Sequence, residues 1–113
     1  PGFLIQKANT YNQQRTQLSN CKSVNNQIGF QINEAFYVSL TNCVASINSS
    51  IGILVQGSWY VTLTGCRADN NTSFGIFSDS SCNTCNFVGN LSTQNAGGNY
   101  SISGTSMGST GNA

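Results

Sequence analysis

The sequence lacks histidine and contains very little charge. Only 6% of its 113 residues are charged, against roughly 25% in a typical globular domain. The absence of histidine excludes a Ser-His-Asp triad and a histidine general acid. The formal net charge of +1 gives no electrostatic basis for binding nucleic acid or an acidic membrane surface. The surface must therefore be covered mainly by uncharged polar residues and glycine.

Long apolar runs are missing too. No run approaches the roughly 20 residues of a membrane-spanning helix, so we expect no membrane insertion. The residues that follow Pro1 show neither the basic segment nor the apolar core of a signal peptide. Because the sequence starts at Pro1 rather than methionine, we expect a fragment or a processed product of a longer chain.

Metal-binding patterns are weak. The chain has three acids, Glu34, Asp69 and Asp79, and they do not cluster in the sequence as carboxylate ligands of calcium would. The pair Cys82-x-x-Cys85 lacks the second pair, or the histidines, of a structural zinc site. We therefore predict no metal site and no cofactor, and we interpret Cys85 as a buried thiol.

The five cysteines are an odd number. An odd number does not suit a secreted disulfide framework. It suits a protein assembled in a reducing cytoplasm. We expect most of these thiols to be free and buried.

What the sequence does contain is a repeat of about 23 residues. "YVSLTNC" at residues 37–43 returns as "YVTLTGC" at residues 60–66. Glycines recur at the same spacing, at Gly29, Gly52, Gly75 and Gly98. Alignment of the repeats requires an insertion in the first coil and one-residue slips elsewhere. It gives four columns, each named by its main residue: Leu18, Leu40, Leu63 and Phe87; Cys21, Cys43, Cys66 and Asn90; Ser23, Ala45, Ala68 and Ser92; Asn26, Asn48, Asn71 and Asn95.

The repeat predicts a parallel β-solenoid. Apolar residues alternate with polar ones, as in half-buried strands. The period is too short for two packed helices, and the leucine-rich-repeat consensus is missing. We predict an all-β solenoid of four to five coils, about 4.8 Å apart, over residues 1–104. Residues 105–113 are predicted to form a polar Gly/Ser-rich tail.

The asparagine column and the recurring glycines have a predicted structural role. We expect the asparagine column to stack as a ladder of amides at a turn, where asparagine tolerates a left-handed backbone. We expect the recurring glycines to adopt backbone shapes that a β-carbon forbids.

The repeated coil, V-x-L-T-x-C/N … N … G-I, resembles the right-handed parallel β-helix repeat of the pectate-lyase-like superfamily. The resemblance covers residues 18–104 and extends to residues 2–104. Family members often carry asparagine three residues after the buried aliphatic position, where this chain has Cys21, Cys43, Cys66 and then Asn90. The superfamily includes lyases, hydrolases, epimerases and phage tailspikes, so the resemblance implies the fold rather than one activity.

Glu34 and Asp79 are the candidate catalytic residues. Tailspike hydrolases of this fold use carboxylates on the solenoid surface. Glu34 and Asp79 occupy nearly equivalent turns two coils apart, which is about 10 Å of rise. An inverting glycosidase needs roughly 6.5–9.5 Å between carboxyl groups, and flexible side chains could close the difference. The alternative is that both are solvated turn residues.

Tyr37, Tyr60 and Trp59 are the candidate binding residues. Tyr37 and Tyr60 share one outward column in adjacent coils, so their rings are expected to stack about 5 Å apart. Phe36 and Trp59 flank them, and we expect these two side chains either to point inward or to lie in the bend. Such aromatics bind the faces of sugars, fill subunit interfaces, or simply pack along the solenoid; all three interpretations stay open.

A short solenoid exposes strand edges and apolar interior at its ends unless they are capped, so we expect this piece to belong to a longer chain and a homotrimer. Phage tailspikes meet both conditions and are assembled in the bacterial cytoplasm. The predicted function is therefore a phage tailspike or tail-fibre segment, located in the virion tail, that contacts host surface polysaccharide. Depolymerisation of that glycan by the parent protein, as a glycoside hydrolase or lyase, stays an open alternative.

Other classes remain open. One is a secreted bacterial polysaccharide lyase or hydrolase of the same fold, and another is a structural β-helix protein of the cell surface. An ice-binding solenoid is a further alternative, because short Thr-x-Thr-like arrays occur in two coils.

Overall fold

The computed structural model describes residues 1–7 and 15–113. These residues form strands and turns, and the described part of the chain contains no helix. The alignment requires an insertion between the first two strand-like runs, which includes residues 8–14. That part of the prediction lies outside the described residues.

The described residues contain fourteen short strands in three parallel sheets. The first sheet contains β1 (Phe3–Gln6), β4 (Phe30–Asn33), β7 (Ile53–Gln56), β10 (Phe74–Ser78) and β13 (Gly98–Ile102). The second sheet contains β2 (Thr16–Ser19), β5 (Phe36–Thr41), β8 (Trp59–Thr64), β11 (Asn86–Val88) and β14 (Gly108–Thr110). The third sheet contains β3 (Lys22–Val24), β6 (Val44–Ser46), β9 (Arg67–Asp69) and β12 (Leu91–Thr93).

The chain visits the three sheets in turn, and each strand pairs in parallel with the strand three places later. Each pass through the sheets is one coil of a right-handed parallel β-helix. Four coils have three strands and a fifth has two. The predicted all-β solenoid and its number of coils are therefore confirmed. The prediction succeeds because inward positions alternate within each strand and recur in the next coil at the repeat length.

The strand register reproduces the predicted leucine column. Leu18 lies beside Leu40, Leu40 beside Leu63, and Leu63 beside Phe87. The last three side chains are fully buried along the axis of the helix. Ala45 and Ala68 are stacked in the third sheet and are also fully buried. The core is thus one continuous stack of inward residues.

The chain continues to coil beyond residue 104. The expected tail contains β14, which pairs with β11, and the Ala113 N–H donates to the Asn90 carbonyl at 2.8 Å. Asn112 Nδ2 donates to the Phe87 carbonyl at 2.7 Å. A strand made of glycine, serine and threonine shows no apolar alternation, although its backbone pairs as well as any other. The sequence pattern therefore missed this strand.

The cysteine column is a column of hydrogen-bond donors. All five cysteines are free thiols. The Sγ of Cys43 donates to the Leu18 carbonyl at 3.5 Å, and the Sγ of Cys66 to the Leu40 carbonyl at 3.3 Å. One coil later, Asn90 Nδ2 makes the equivalent bond to the Leu63 carbonyl at 3.0 Å. Thiol and amide thus perform one structural task at this bend.

The asparagine column forms the predicted amide ladder. Asn48 Nδ2 donates to Asn71 Oδ1 at 2.8 Å, and Asn71 Nδ2 donates to Asn95 Oδ1 at 2.9 Å. The expected left-handed backbone lies one residue earlier, at Asn25, Ile47, Asn70 and Gln94. The chain bends at that preceding residue, and the side-chain amide of the next residue points into the interior.

Gly98 has the positive φ, 144°, that the expectation requires, whereas Gly29, Gly52 and Gly75 answer a packing requirement. Gly52 is not left-handed. A β-carbon there would lie 2.7 Å from Asn71 Nδ2 and 2.7 Å from the Gly75 carbonyl oxygen. The next coil passes too close for any side chain. The expectation that the recurring glycines adopt backbone shapes forbidden to a β-carbon was therefore wrong for Gly52.

Candidate functional site

A groove follows the turns between the first and second sheets. We call it the turn groove, and its cavity volume is about 580 Å³. It is lined by Lys7, Asn33, Glu34, Phe36, Gln56, Gly57, Trp59, Asp79 and Ser81. The fold thus brings three of the five predicted site residues, Glu34, Asp79 and Trp59, to one concave surface.

The stacking of coils builds this groove. Gln6 lies beside Asn33, and Asn33 lies beside Gln56. Lys7 and Glu34 therefore occupy the same turn position in adjacent coils. The lining comes from four successive coils, which span about 14 Å along the helix axis. The result is an open channel parallel to the axis.

Asp79 is held by its neighbours through one oxygen. Its Oδ1 accepts hydrogen bonds from the Gly57 N–H at 3.0 Å, the Ser81 N–H at 3.1 Å and the Cys82 thiol at 3.4 Å. These donors fix the plane of the carboxylate. Its Oδ2 has no hydrogen-bond partner among residues 1–7 and 15–113, so it remains available to a ligand.

Glu34 sits at the rim on a left-handed backbone with φ of 50°. Its side chain is 60% exposed, and Lys7 Nζ lies 3.8 Å from its Oε2. An exposed ion pair of this kind holds its partners only weakly. Both charged groups can therefore swing toward a molecule in the groove.

Phe36 and Trp59 form an aromatic wall beside these polar groups. They are Cα partners at the starts of β5 and β8, and their ring centroids lie 5.6 Å apart. Trp59 is 42% exposed, which excludes the inward placement and leaves the other expected one, in the bend. The following residues, Tyr37 and Tyr60, are left-handed with φ of 58° and 59°. That conformation interrupts the strand alternation on which the expectation rested.

Tyr37 and Tyr60 stack beside the groove, outside its lining. Their ring centroids are 4.8 Å apart with an interplanar angle of 6°, so the predicted stack is confirmed. The Arg15 guanidinium covers the Tyr37 ring at 4.7 Å from its centroid. Tyr60 meets Trp59 edge-on at 6.4 Å. We call Arg15, Tyr37 and Tyr60 the stacked column.

Sequence reasoning missed two basic residues of this region. Arg15 precedes Thr16, which pairs with Val38, so the alignment already placed Arg15 in the tyrosine column. Lys7 could likewise have been aligned with Glu34. Both residues border the first-coil insertion, where the repeat is hardest to follow.

Burial shields the Cys82-x-x-Cys85 pair from solvent, and hydrogen bonding with Cys82 lowers the pKa of the Cys85 thiol to about 7. Both side chains are 1% exposed. Hydrogen bonding with Cys85, burial and the nearby Asp79 carboxylate raise the pKa of the Cys82 thiol. Cys82 donates to Asp79 and to the Val55 carbonyl, and so supports the floor of the turn groove. The interpretation of Cys85 as a buried thiol is confirmed.

Other candidate sites are weaker. Within the described ranges, no three His, Cys, Asp or Glu side chains group closely enough to hold a metal ion. The same residues include no helix long and apolar enough to cross a membrane. A second groove of about 400 Å³ lies between turns of the third sheet and carries no charged residue. It is lined by Asn25, Asn26, Gln27, Ile47, Asn48, Ser49, Asn70 and Thr72.

Comparison with known proteins identifies one family. A family model described as "Right handed beta helix region" matches residues 3–113. No curated protein and no solved structure matches the chain. The family match extends to the last residue, in agreement with the strand in residues 108–110.

Proposed function

The chain belongs to the right-handed β-helix family, and from this premise we propose that it is a segment of a phage tailspike or tail fibre that binds host surface polysaccharide through the turn groove. One observation carries the proposal. An exposed tryptophan, Trp59, forms the wall of a channel whose floor supplies carboxylate and amide groups.

This combination suits the chemistry of sugars. A sugar ring has an apolar face of C–H groups and a rim of hydroxyls. Trp59 offers a flat apolar surface, and Phe36 packs beside its ring. Asp79 Oδ2, Glu34 and Gln56 offer polar atoms for the hydroxyls. Ligand sites typically combine aromatic surface with a few placed polar groups in this way.

The shape of the channel favours a polymer. The turn groove is open along its length and crosses four coils, so a chain of sugars can enter and leave it at both ends. Its volume falls within the roughly 300–1,000 Å³ of typical ligand sites.

Assembly in a phage tail is supported by the thiols and by the stacked column. Five free cysteines, four of them buried, suit a protein that folds in a reducing cytoplasm, where phage proteins are made. Arginine and tyrosine are enriched at subunit interfaces. The column of Arg15, Tyr37 and Tyr60 is therefore our candidate for the homotrimer contact, beside the channel.

Glycan cleavage is the second candidate function, because two carboxylates line one groove. Asp79 Oδ1 already accepts hydrogen bonds from the Gly57 N–H, the Ser81 N–H and the Cys82 thiol, which favours a binding role over a catalytic one. Glu34→Gln and Asp79→Asn variants test the choice. Loss of polysaccharide depolymerisation with retained binding would support catalysis, and unchanged depolymerisation would remove both residues as catalysts.

A glycan array of bacterial capsule and O-antigen polysaccharides, followed by calorimetry, tests the binding proposal. Trp59→Ala should weaken binding about tenfold or more, as expected for a central aromatic contact. Leu91→Ala is the matched control, because Leu91 is equally exposed and lies outside the groove lining. Circular dichroism confirms that both variants fold. Failure of every glycan to bind, or full affinity in Trp59→Ala, would refute the proposal.

A further inference from the structure

We propose that the turn groove selects neutral or amino sugars and rejects uronic acids and other anionic sugars. The inference rests on the proposed polysaccharide-binding function and names the class of ligand that the groove accepts.

The charge of the lining is the first argument. Two of the three carboxylates of the chain, Glu34 and Asp79, line the groove. Among the described residues, Lys7 is the one cation in the lining, and its Nζ lies 3.8 Å from Glu34 Oε2. Two carboxylates and one ammonium give the channel a net charge of −1. Like charges placed together at a binding surface oppose association.

The hydrogen-bond polarity of the floor is the second argument. Backbone N–H groups in turns commonly hold anions. Here the N–H groups of Gly57 and Ser81 are already directed at Asp79 Oδ1. The protein's own carboxylate occupies the place that an anionic ligand would need. An external carboxylate therefore finds no preformed nest at this floor.

The two carboxylates of the lining offer acceptors to a ligand. Asp79 Oδ2 and the Glu34 carboxylate can each accept from a ligand. Hydroxyl, amide N–H and ammonium groups are the donors that match them. The indole N–H of Trp59 makes no hydrogen bond to any described residue, and it can pair with a ring or hydroxyl oxygen. These groups define a neutral or amino sugar.

The first test sorts the glycans that bind on the array by charge. We expect neutral and amino glycans among the ligands whose binding depends on Trp59. A set of such ligands dominated by uronic acids would overturn the inference while leaving polysaccharide binding intact. If no glycan binds through Trp59, the proposed function itself fails, so the two failures are distinguishable.

The second test uses one glycan in two forms. The neutral glycan that binds most tightly is compared before and after selective oxidation of its C6 hydroxyls to carboxylates. Trp59 is the only tryptophan, so its fluorescence reports binding directly. We expect the oxidised form to bind about tenfold more weakly at low salt, and the difference to shrink as salt screens the charges.

A charge variant ties the effect to the groove. Glu34→Gln removes one carboxylate from the rim and leaves the Asp79 contacts in place, so it should reduce the discrimination severalfold. Gln17→Lys changes the net charge by the same amount at an exposed position outside the lining, and it should leave the discrimination unchanged. Equal or tighter binding of the oxidised glycan, or an unchanged ratio in Glu34→Gln, would overturn the inference.

Discussion

Replacement of Asn71 by alanine should remove a large part of the stability of this β-helix. Asn71 is 2% exposed and connects three coils. Its Oδ1 accepts from the backbone N–H of Asn48 at 3.0 Å and from Asn48 Nδ2 at 2.8 Å. Its Nδ2 donates to the Ala45 carbonyl at 3.2 Å and to Asn95 Oδ1 at 2.9 Å. Alanine removes all four bonds.

The expected loss follows from these contacts. Each intramolecular hydrogen bond contributes about 0.5–1.5 kcal/mol net, and a buried group left without its partner costs about 1–3 kcal/mol. The buried N–H of Asn48 is such a group, because Asn71 Oδ1 is its acceptor. We therefore expect the free energy of unfolding to fall by about 3–5 kcal/mol, out of a typical total of about 5–15 kcal/mol.

Urea unfolding followed by circular dichroism measures this loss. Asn86→Ala is the control, because Asn86 is exposed and its side chain makes no hydrogen bond to the described residues. Its effect should stay within about 0.5 kcal/mol. A loss below about 1 kcal/mol for Asn71→Ala would refute the view that the amide ladder holds the coils in register.

Three further predictions follow from packing, burial and the stacked column. Gly52→Ala should destabilise the protein by about 1–3 kcal/mol through overpacking, whereas Gly89→Asn should be nearly neutral in urea unfolding, because a β-carbon there meets nothing within 4 Å and asparagine tolerates the left-handed backbone. Burial raises the pKa of Cys66 from 9.0 to about 11, so the folded state retains the proton longer than the unfolded state. The stability that Cys66 contributes is complete below pH 9 and is lost as pH rises toward 11, by about 2 kcal/mol, and Cys66→Ala should lack this loss in urea titrations. A Tyr37→Ala, Tyr60→Ala double variant should sediment as a monomer if the stacked column is the homotrimer contact, and an unchanged trimer would rule that contact out.

The repeat predicted the interior of the solenoid because interior residues obey two simple periods. The side chains of Leu40 and Leu63 recur at the coil length and alternate within each strand, so both their burial and their stacking follow from the sequence. The same logic placed Cys66 at the bend, where hydrogen bonding to the preceding coil accepts either a thiol or an amide.

The turn groove could not be predicted in the same way. The exposure of Trp59 depends on the left-handed conformation of Tyr60, which bulky aromatic residues rarely adopt. The pairing of Lys7 with Glu34 depends on the register across the first-coil insertion. The prediction did name Glu34 and Asp79 as related turn residues. It could not show that Asp79 binds its own turn through Oδ1.

The central claim is that polysaccharide lies in the turn groove. Two-dimensional ¹H–¹⁵N NMR tests it most directly, because the single tryptophan gives one indole N–H signal. On titration with a glycan that binds on the array, the Trp59 indole and the Gly57 and Ser81 amides should shift together, while the Ile47 amide in the second groove stays in place. Saturable binding with shifts confined to Ile47 and its neighbours, and none at Trp59, would contradict the account.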